Sequence, residues 1–251
     1  MSLFKKKSKT TGGAKIYLST TGEGHNNEDY NRLKDNLLYL NADGKAKVIQ
    51  IESSVMSEGK TTTISNLAVS LGMTNKKVLV VDLDFRRPKV HRVFSLSKDN
   101  GIAEYFLDNL KKEELIKKTE YKNVDVITRG AQVYNSSLLL VSDKFKELIK
   151  ELREEYDFVL LDCAPVLQIS DYIHISKVSD GVLFLVAYAS TTRAQVSEAV
   201  KELKKNGANI LGTVFTMYDK KNDKDLYYKS RYYKYKDYVE TVNVDEDLEE
   251  K

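Results

Sequence analysis

Residues 47–61 read KVIQIESSVMSEGKT, an aliphatic stretch followed by a polar loop that contains one glycine. The first part, Lys47–Glu52, predicts a buried strand. After the loop, apolar residues recur at helical spacing from Ile64 to Leu71 and predict a helix from about Gly59 to Met73. A strand, a loop and a helix in this order form the unit from which parallel α/β sheets are built.

The loop matches the phosphate-binding pattern G-x-x-x-x-G-K-[ST] except at its first position, where Ser54 replaces glycine. In such a loop, backbone N–H groups and the helix N-terminus converge on the phosphates. Lys60 would bring a mobile charge to the β- and γ-phosphates, and the Thr61 hydroxyl would complete a Mg²⁺ shell. A chance polar turn is the alternative. The predicted nucleotide-binding residues, with ATP and Mg²⁺ as cofactors, are Ser57, Glu58, Gly59, Lys60, Thr61 and Thr62.

The rest of the chain continues the alternation of strands and helices. Aliphatic runs predict strands at residues 78–81, 124–127, 158–161, 182–186 and 210–215. Helical spacing predicts helices at 27–40, from the N-cap Ser142 through Tyr156, and at 194–205. The fold class is therefore α/β, a doubly wound, mostly parallel sheet of the P-loop NTPase type. The predicted division is a flexible arm at 1–26, a P-loop domain at 27–218 and a tail at 219–251.

Two of the aliphatic strands end in carboxylates. VLVVDLD, residues 78–84, supplies Asp82 and Asp84, and FVLLD, residues 158–162, supplies Asp162. If the extended conformation persists, period-two alternation places Asp82 and Asp84 on the same side. Ligands of α/β folds bind at the carboxyl ends of the strands. We therefore predict a magnesium site at Thr61, Asp82 and Asp162, although an Asp at a strand end can also merely cap a turn.

Composition excludes several classes of protein. A net charge of +3, from 40 Lys and Arg against 37 Asp and Glu, gives no general case for nucleic-acid binding. The single cysteine, Cys163, excludes an intramolecular disulfide and fits a reducing cytoplasm. No apolar run is long enough for a transmembrane helix, so membrane association is expected only through a partner or a charged surface. The three histidines are scattered, and no zinc site is expected.

The stretch after about Asp219 changes character, because it has no aliphatic period of either kind. It predicts a flexible tail in which tyrosines alternate with Lys and Arg and which ends in acidic residues. Such tyrosines suit an accessible kinase substrate, but aromatic residues mixed with cations also suit nucleic-acid stacking or a partner's docking strand. The tyrosines of this cluster are Tyr227, Tyr228, Tyr232, Tyr233, Tyr235 and Tyr238.

Together these residues resemble the bacterial tyrosine kinases, the cytoplasmic P-loop ATPase subunits of capsule and exopolysaccharide synthesis systems. The resemblance rests on SSVMSEGKTT, on VDLDFRRP with its Asp-x-Asp-x-Arg pattern and on LLDCAPV, and it covers about residues 28–217. It implies a protein-tyrosine kinase in which Asp82 orients or deprotonates the attacking tyrosine hydroxyl. The tail tyrosines would be the phosphoacceptors. The implied catalytic residues are Lys60, Asp82, Asp84 and Asp162.

The resemblance also implies partners and a location. A membrane-anchored activator would complete the site, a phosphotyrosine phosphatase would reverse the reaction, and copies of the chain would self-associate. The chain is then expected in the cytoplasm, recruited to the inner face of the membrane through its partner. Its expected role is to regulate the biosynthesis and export of capsular or extracellular polysaccharide.

Departures from the family pattern leave alternatives open. The family's Glu-x-x-Arg-x-x-Arg helix reads Glu28, Asn31 and Lys34 here, and Lys does not replace the bidentate Arg fork, so ring assembly stays open. The family's Asn near the adenine falls at Thr216. A ParA/MinD-like ATPase switch is one alternative, although Val55 stands where that family carries a signature Lys. A nucleotide-binding scaffold without kinase activity is the other.

Overall fold

The computed structural model describes residues 14–18, 25–107, 110–188 and 190–218. The helices and strands below belong to one unit, which ends at Thr216. The predicted tail, 219–251, lies outside the described residues, and so does most of the predicted arm. Residues 14–18, inside that arm, are held by one side chain. Asn66 accepts from the N–H groups of Tyr17 (2.7 Å) and Leu18 (3.2 Å) and donates to the carbonyl of Lys15 (3.0 Å).

Seven strands form one sheet in the order β3-β4-β2-β5-β1-β6-β7. Every pairing is parallel except that of β3 with β4, which is antiparallel. This confirms the predicted mostly parallel α/β fold. The strands are β1 Val48–Ser53, β2 Val78–Asp82, β3 Lys117–Lys118, β4 Val124–Ile127, β5 Phe158–Asp162, β6 Gly181–Ala187 and β7 Ile210–Thr216.

The longer helices were all predicted to within two residues at each end, and Ser142 caps α7 by accepting from the N–H of Phe145. The helices of four to six residues, and β3, were not predicted, because they are too short to show a period. No helix in the described ranges is long and apolar enough to span a membrane. The helices are α1 His25–Leu40, α2 Lys60–Met73, α3 Val90–Val93, α4 Ile102–Leu107, α5 Lys112–Leu115, α6 Ser136–Val141, α7 Asp143–Glu155, α8 Tyr172–Ile175 and α9 Arg193–Lys205.

Helices cover both faces of the sheet. On one face Ile51 of β1 packs in a buried cluster with Leu67 of α2 and Leu37 of α1. On the other face Leu79 of β2 packs in a second cluster with Phe145 of α7. Because strands covered on both faces have no solvent side, they read as continuous aliphatic runs rather than as alternating ones.

The strand order determines where the polar residues meet. β5 lies between β2 and β1, and all three run parallel. Their carboxyl ends therefore share one edge of the sheet. The loop after β1 and the acids at the ends of β2 and β5 come together there, at the edge where α/β folds bind ligands.

Candidate active site

The loop between β1 and α2 has the strained backbone that close approach to an anion requires. Ser57 and Gly59 both have positive φ, 64° and 90°. Gly59 precedes the first residue of α2, and a Cβ there would lie 3.4 Å from the side chain of Thr216. Gly59 thus lets the loop turn into the helix directly beside the end of β7. The helix N-terminus points its free N–H groups into the loop.

Lys60 is folded over its own loop. Its Nζ donates to Ser53 Oγ at 2.7 Å, and Ser53 Oγ in turn donates to the carbonyl of Val55 at 2.9 Å. The side chain is buried, with 8% of its surface exposed. An ammonium carries three donors, so two remain for an anionic ligand.

The acids at the ends of β2 and β5 lie side by side. Asp82 and Asp162 are paired residues at the ends of neighbouring parallel strands, and both are buried. The hydroxyl of Thr61 donates to Asp162 Oδ2 at 2.8 Å, so the first turn of α2 meets these acids. The three residues predicted to hold magnesium are therefore adjacent.

Burial and mutual repulsion make this pair hard to ionise. Burial raises the pKa of Asp162 to about 6, against the opposing effects of the Thr61 hydroxyl and of the Lys60 charge. Burial raises the pKa of Asp82 well above its ordinary value, and the charges of Asp162 and Asp84 raise it further. A cation between the carboxylates would relieve both effects.

The donor set fits Mg²⁺. Asp162 Oδ1 is buried and has no hydrogen-bond partner, which leaves one carboxylate oxygen available to a ligand. Carboxylate and hydroxyl oxygens are the hard donors that Mg²⁺ prefers, and Mg²⁺ usually keeps several waters and phosphate oxygens besides one or two carboxylates. In the described part of the chain no group of three or more His, Cys, Asp and Glu side chains could hold a metal. The arrangement therefore suits a cation shared with a phosphate ligand rather than an all-protein cage.

Asp84 lies beside Asp82 but does not continue the strand. β2 ends at Asp82, so the condition for placing Asp82 and Asp84 on the same side, a strand that extends through Asp84, is not met. The N–H of Asp84 donates to Asp82 Oδ1 at 3.3 Å, and Asp84 Oδ1 accepts from the N–H groups of Arg86 (3.1 Å) and Arg87 (2.9 Å). Asp84 therefore caps the turn after β2, the role that Asp commonly has at strand ends.

Glu58, predicted to contact nucleotide, directs its side chain into the protein. Its buried carboxylate accepts from the N–H of Val55 at 2.6 Å and of Ala187 at 3.2 Å, and from the hydroxyl of Thr191. Its backbone carbonyl accepts from Thr216 Oγ1 at 2.7 Å. Glu58 thus ties the loop to the ends of β6 and β7, and its side chain is engaged away from any phosphate.

Sequence reasoning missed a buried polar cluster behind the loop. Glu52 is fully buried on β1; its Oε1 accepts from Gln50 Nε2 at 2.6 Å, and its Oε2 has no partner. Burial raises the pKa of Glu52 to about 8, against the Gln50 hydrogen bond and the Lys60 charge. Burial also raises the pKa of the neighbouring Cys163 thiol, so Cys163 is a packed residue rather than a nucleophile. A charged residue inside an aliphatic strand was the signal available in the sequence.

The helix expected to help build a ring is bonded to α2 through Asn31, a residue that remains exposed. Asn31 of α1 accepts from Ser70 Oγ of α2 at 2.9 Å. Lys34 pairs with Asp35 at 3.1 Å, and Glu28 pairs with Arg32 at 3.6 Å between exposed side chains. Asn31 thus joins α1 to α2 within the chain. The Arg that the family carries at this position is expected to bind a neighbouring copy through its bidentate guanidinium group. The predicted phosphoacceptor tyrosines lie beyond the described ranges.

Sequence comparisons identify the family of this chain. A family model described as an AAA domain matches residues 46–212. The tyrosine-protein kinase YwqD of Bacillus subtilis is 33% identical over 199 residues, which cover 79% of this chain and 84% of that protein. The putative tyrosine-protein kinase CapB of Staphylococcus aureus is 26% identical over 213 residues, covering 85% of this chain and 93% of that one.

Solved structures agree with these relatives. The chimerical protein CapA2B2 superposes with a TM-score of 0.76 at 28% identity, over 83% of this chain and 94% of that chain. The septum site-determining protein MinD of Pyrococcus horikoshii, complexed with Mg-ADP, gives 0.59 at 28% identity, over 68% and 70%. The TM-score is thus higher for CapA2B2 than for MinD. The chain belongs to the bacterial tyrosine-protein kinase family.

Proposed function

We propose that this chain binds ATP with Mg²⁺ and transfers the γ-phosphoryl group to tyrosine hydroxyls, including those of its own tail. The observation that carries the proposal is the adjacency of Lys60, Thr61 and the buried pair Asp82 and Asp162. Relatives named tyrosine-protein kinases support the choice of acceptor. The MinD structure that holds Mg-ADP supports the choice of ligand.

Positioning and charge neutralisation would account for most of the catalysis, because phosphoryl transfer requires little covalent chemistry from the protein. The loop N–H groups and Lys60 would hold the phosphates, and Thr61, Asp82 and Asp162 would hold Mg²⁺. Bound Mg²⁺ offsets the charge on the phosphate oxygens. Glu58 would keep the loop shaped before the nucleotide arrives, which lowers the entropic cost of binding.

Asp82 would also orient the attacking hydroxyl or accept its proton. A tyrosine hydroxyl has a pKa of about 10, so it is a weak nucleophile unless a base is close. Asp84 would act through Asp82, to which its backbone N–H donates.

The chain's cellular setting is part of the proposal. We propose that this chain is a cytoplasmic protein, recruited to the inner face of the membrane by a membrane-anchored activator. A phosphatase would remove the phosphate from its tail. The role we propose is regulation of the biosynthesis and export of capsular or extracellular polysaccharide. Self-association would bring one copy's tail to another copy's site, although Asn31, which bonds to Ser70 of α2, stands where the family's helix carries an Arg.

Mass spectrometry tests the proposal directly. The pure protein is incubated with Mg²⁺–ATP, alone and with the cytoplasmic segment of a candidate activator, beside a Lys60→Met control. Phosphotyrosine between Tyr227 and Tyr238 that is absent from the control is the expected result. ATP hydrolysis without any phosphotyrosine would replace the kinase by an ATPase switch, the function that the likeness to MinD favours. Loss of both activities would leave a nucleotide-binding scaffold.

A further inference from the structure

The segment that follows the acidic edge of the site is strongly basic. Residues 85–98, here called the basic segment, contain five Lys and Arg and no Asp or Glu, whereas the whole chain carries a net charge of only +3. All five of these side chains are exposed. They are Arg86, Arg87, Lys89, Arg92 and Lys98.

Hydrogen bonds hold the basic segment against the site. The N–H of Val90, at the start of α3, donates to Asp82 Oδ2 at 3.2 Å. On the other side, Arg129 Nη1 donates to the carbonyl of Phe85 at 3.1 Å, so the loop after β4 adds another cation. Burial lowers the pKa of His91, and the charges of Arg92, Arg129 and Lys98 lower it further. These three cations therefore lie near the His91 side chain.

Among the residues that the structure places, none of these cations forms an ion pair with an acidic side chain, although the charge of Lys89 lowers the pKa of Asp162. The ion pairs between such residues involve other Lys and Arg side chains, and none includes a member of the basic segment. A surface with several unpaired charges of one sign raises the local concentration of an oppositely charged segment and steers its approach. The basic segment is therefore suited to an acidic polypeptide.

The tail contains such a polypeptide beyond its tyrosines. Residues 239–251 hold six Asp and Glu against one Lys, whereas residues 227–238, which carry the tyrosines, hold four Lys and Arg against one Asp. The basic segment would repel the tyrosine stretch and attract the acidic one. The acids of that stretch are Glu240, Asp245, Glu246, Asp247, Glu249 and Glu250.

We propose that the basic segment is the docking surface for the acidic stretch 240–250 of a second copy's tail, and that this docking delivers the tyrosines to the site. The proposal rests on the proposed kinase function. Tyr238 and Asp245 are seven positions apart, which spans at most about 25 Å in an extended chain. The basic segment begins three residues after Asp82. With the acidic stretch docked, Tyr238 would thus lie within reach of Asp82. The other tyrosines are further from the acidic stretch along the chain, so they would reach the site when the chain between them and that stretch forms a longer loop.

Binding of a peptide tests the docking apart from catalysis. The probe is a fluorescent peptide of residues 239–251, titrated with the full chain in which Asp245, Glu246, Asp247, Glu249 and Glu250 are replaced by Asn or Gln, so that its own tail does not compete. We expect saturable binding that weakens at least about tenfold in Arg92→Glu/Lys98→Glu and between 50 and 300 mM salt. A matched surface control, Lys204→Glu/Lys205→Glu on α9, should bind as the parent does. Equal binding by all three proteins would overturn the proposal.

A two-copy assay tests delivery. The enzyme copy has its six tail tyrosines replaced by Phe, and the substrate copy carries Lys60→Met, so phosphate on the substrate copy comes only from the other molecule. Neutralising the substrate's five acids should raise KM about tenfold and change kcat less than about twofold. Arg92→Glu/Lys98→Glu in the enzyme copy should do the same. A substrate tail with Asp245→Lys and Asp247→Lys should restore transfer by that variant.

The outcomes separate the docking from the kinase function. No transfer between the parent copies, even with the cytoplasmic segment of the activator and with peptide binding intact, would refute the proposed kinase function and leave the docking surface. Transfer that is insensitive to the acidic stretch would refute the docking and leave the kinase. If Arg92→Glu/Lys98→Glu lowers transfer equally to the acidic and the neutralised tails, the basic segment acts in catalysis and the docking is wrong. Tighter binding of a phosphotyrosine peptide of residues 227–238 than of the acidic peptide would make the segment a product site instead.

Discussion

At the scale of single residues, the buried acids that are suited to bind magnesium, Asp82 and Asp162, lower the free energy of unfolding when no ligand is present. The pKa of Asp162 is raised from 3.8 to about 6 in the folded state, so the folded protein holds this proton more tightly than the unfolded chain does. The free energy of unfolding should therefore fall as the pH rises from about 4 through about 6, and stay low above that. Without magnesium, the acids at this edge destabilise the fold at neutral pH.

Asp162→Asn should accordingly stabilise the protein while it abolishes magnesium-dependent binding. In buffer with EDTA at pH 7.5 we expect the free energy of unfolding to rise by about 2 kcal/mol, with a smaller gain at pH 4.5. Mg-ADP should raise the urea midpoint of the parent but not that of the variant. Asp143→Asn, at an exposed position of α7, is the control and should change little. A variant less stable than the parent at pH 7.5 would contradict this account.

Glu58 provides a second test at this scale. The Glu58 carboxylate accepts hydrogen bonds from two backbone N–H groups and from the Thr191 hydroxyl. A Gln side chain keeps one oxygen acceptor, but its NH₂ group is a donor and would face one of these donors instead. Glu58→Gln should raise KM for ATP about tenfold with a smaller change in kcat, because the loop loses its preset shape. Steady-state kinetics measure this, with the exposed Glu198→Gln as control. Thr191→Val alone should have a smaller effect, and the two changes together should be less than additive.

At the scale of elements, a close approach between α2 and the turn before β4 should tolerate no added methyl group. A Cβ at Gly72 would lie 2.5 Å from the carbonyl oxygen of Lys122. Gly72→Ala should therefore lower the free energy of unfolding by about 1–3 kcal/mol, although Ala is the better helix former. Gly212→Ala in β7, where a Cβ meets nothing within 4 Å, is the matched control and should be nearly neutral in the same urea titration.

The elements also show which parts of the structure a sequence can predict. The longer strands and helices could be predicted because their buried residues form a pattern in the sequence: a continuous aliphatic run for a strand, and apolar residues at helical spacing for a helix. The helices α3 and α6 have at most six residues, too few to repeat a period. The adjacency of Thr61 and Asp162 could be predicted because both follow parallel strands at their carboxyl ends, where α/β folds bind ligands. The inward turn of Glu58 did not, because its partners Ala187 and Thr191 lie more than a hundred residues away along the chain.

At the scale of the whole molecule, the tail's charge should couple phosphorylation to self-association. Unmodified, residues 227–238 carry a net charge of +3, from four Lys and Arg against Asp237. Each added phosphate brings a charge of about −1.5 to −2, so two or three phosphates reverse the sign of this stretch. We expect the phosphorylated tails to compete with the acidic stretches for the basic segment and so to loosen an assembly that the unmodified tails stabilise.

Light scattering before and after incubation with Mg²⁺–ATP measures this loosening as a fall in average mass. The Lys60→Met protein under the same conditions should keep its mass, which separates the effect of phosphate from that of nucleotide binding alone. Replacing the six tail tyrosines by Phe should also keep the mass constant, although that protein still binds ATP. An unchanged mass in the parent, with phosphotyrosine confirmed by mass spectrometry, would show that the tail's charge does not control assembly. A fall in mass in all three proteins would assign the control to nucleotide binding at the loop instead.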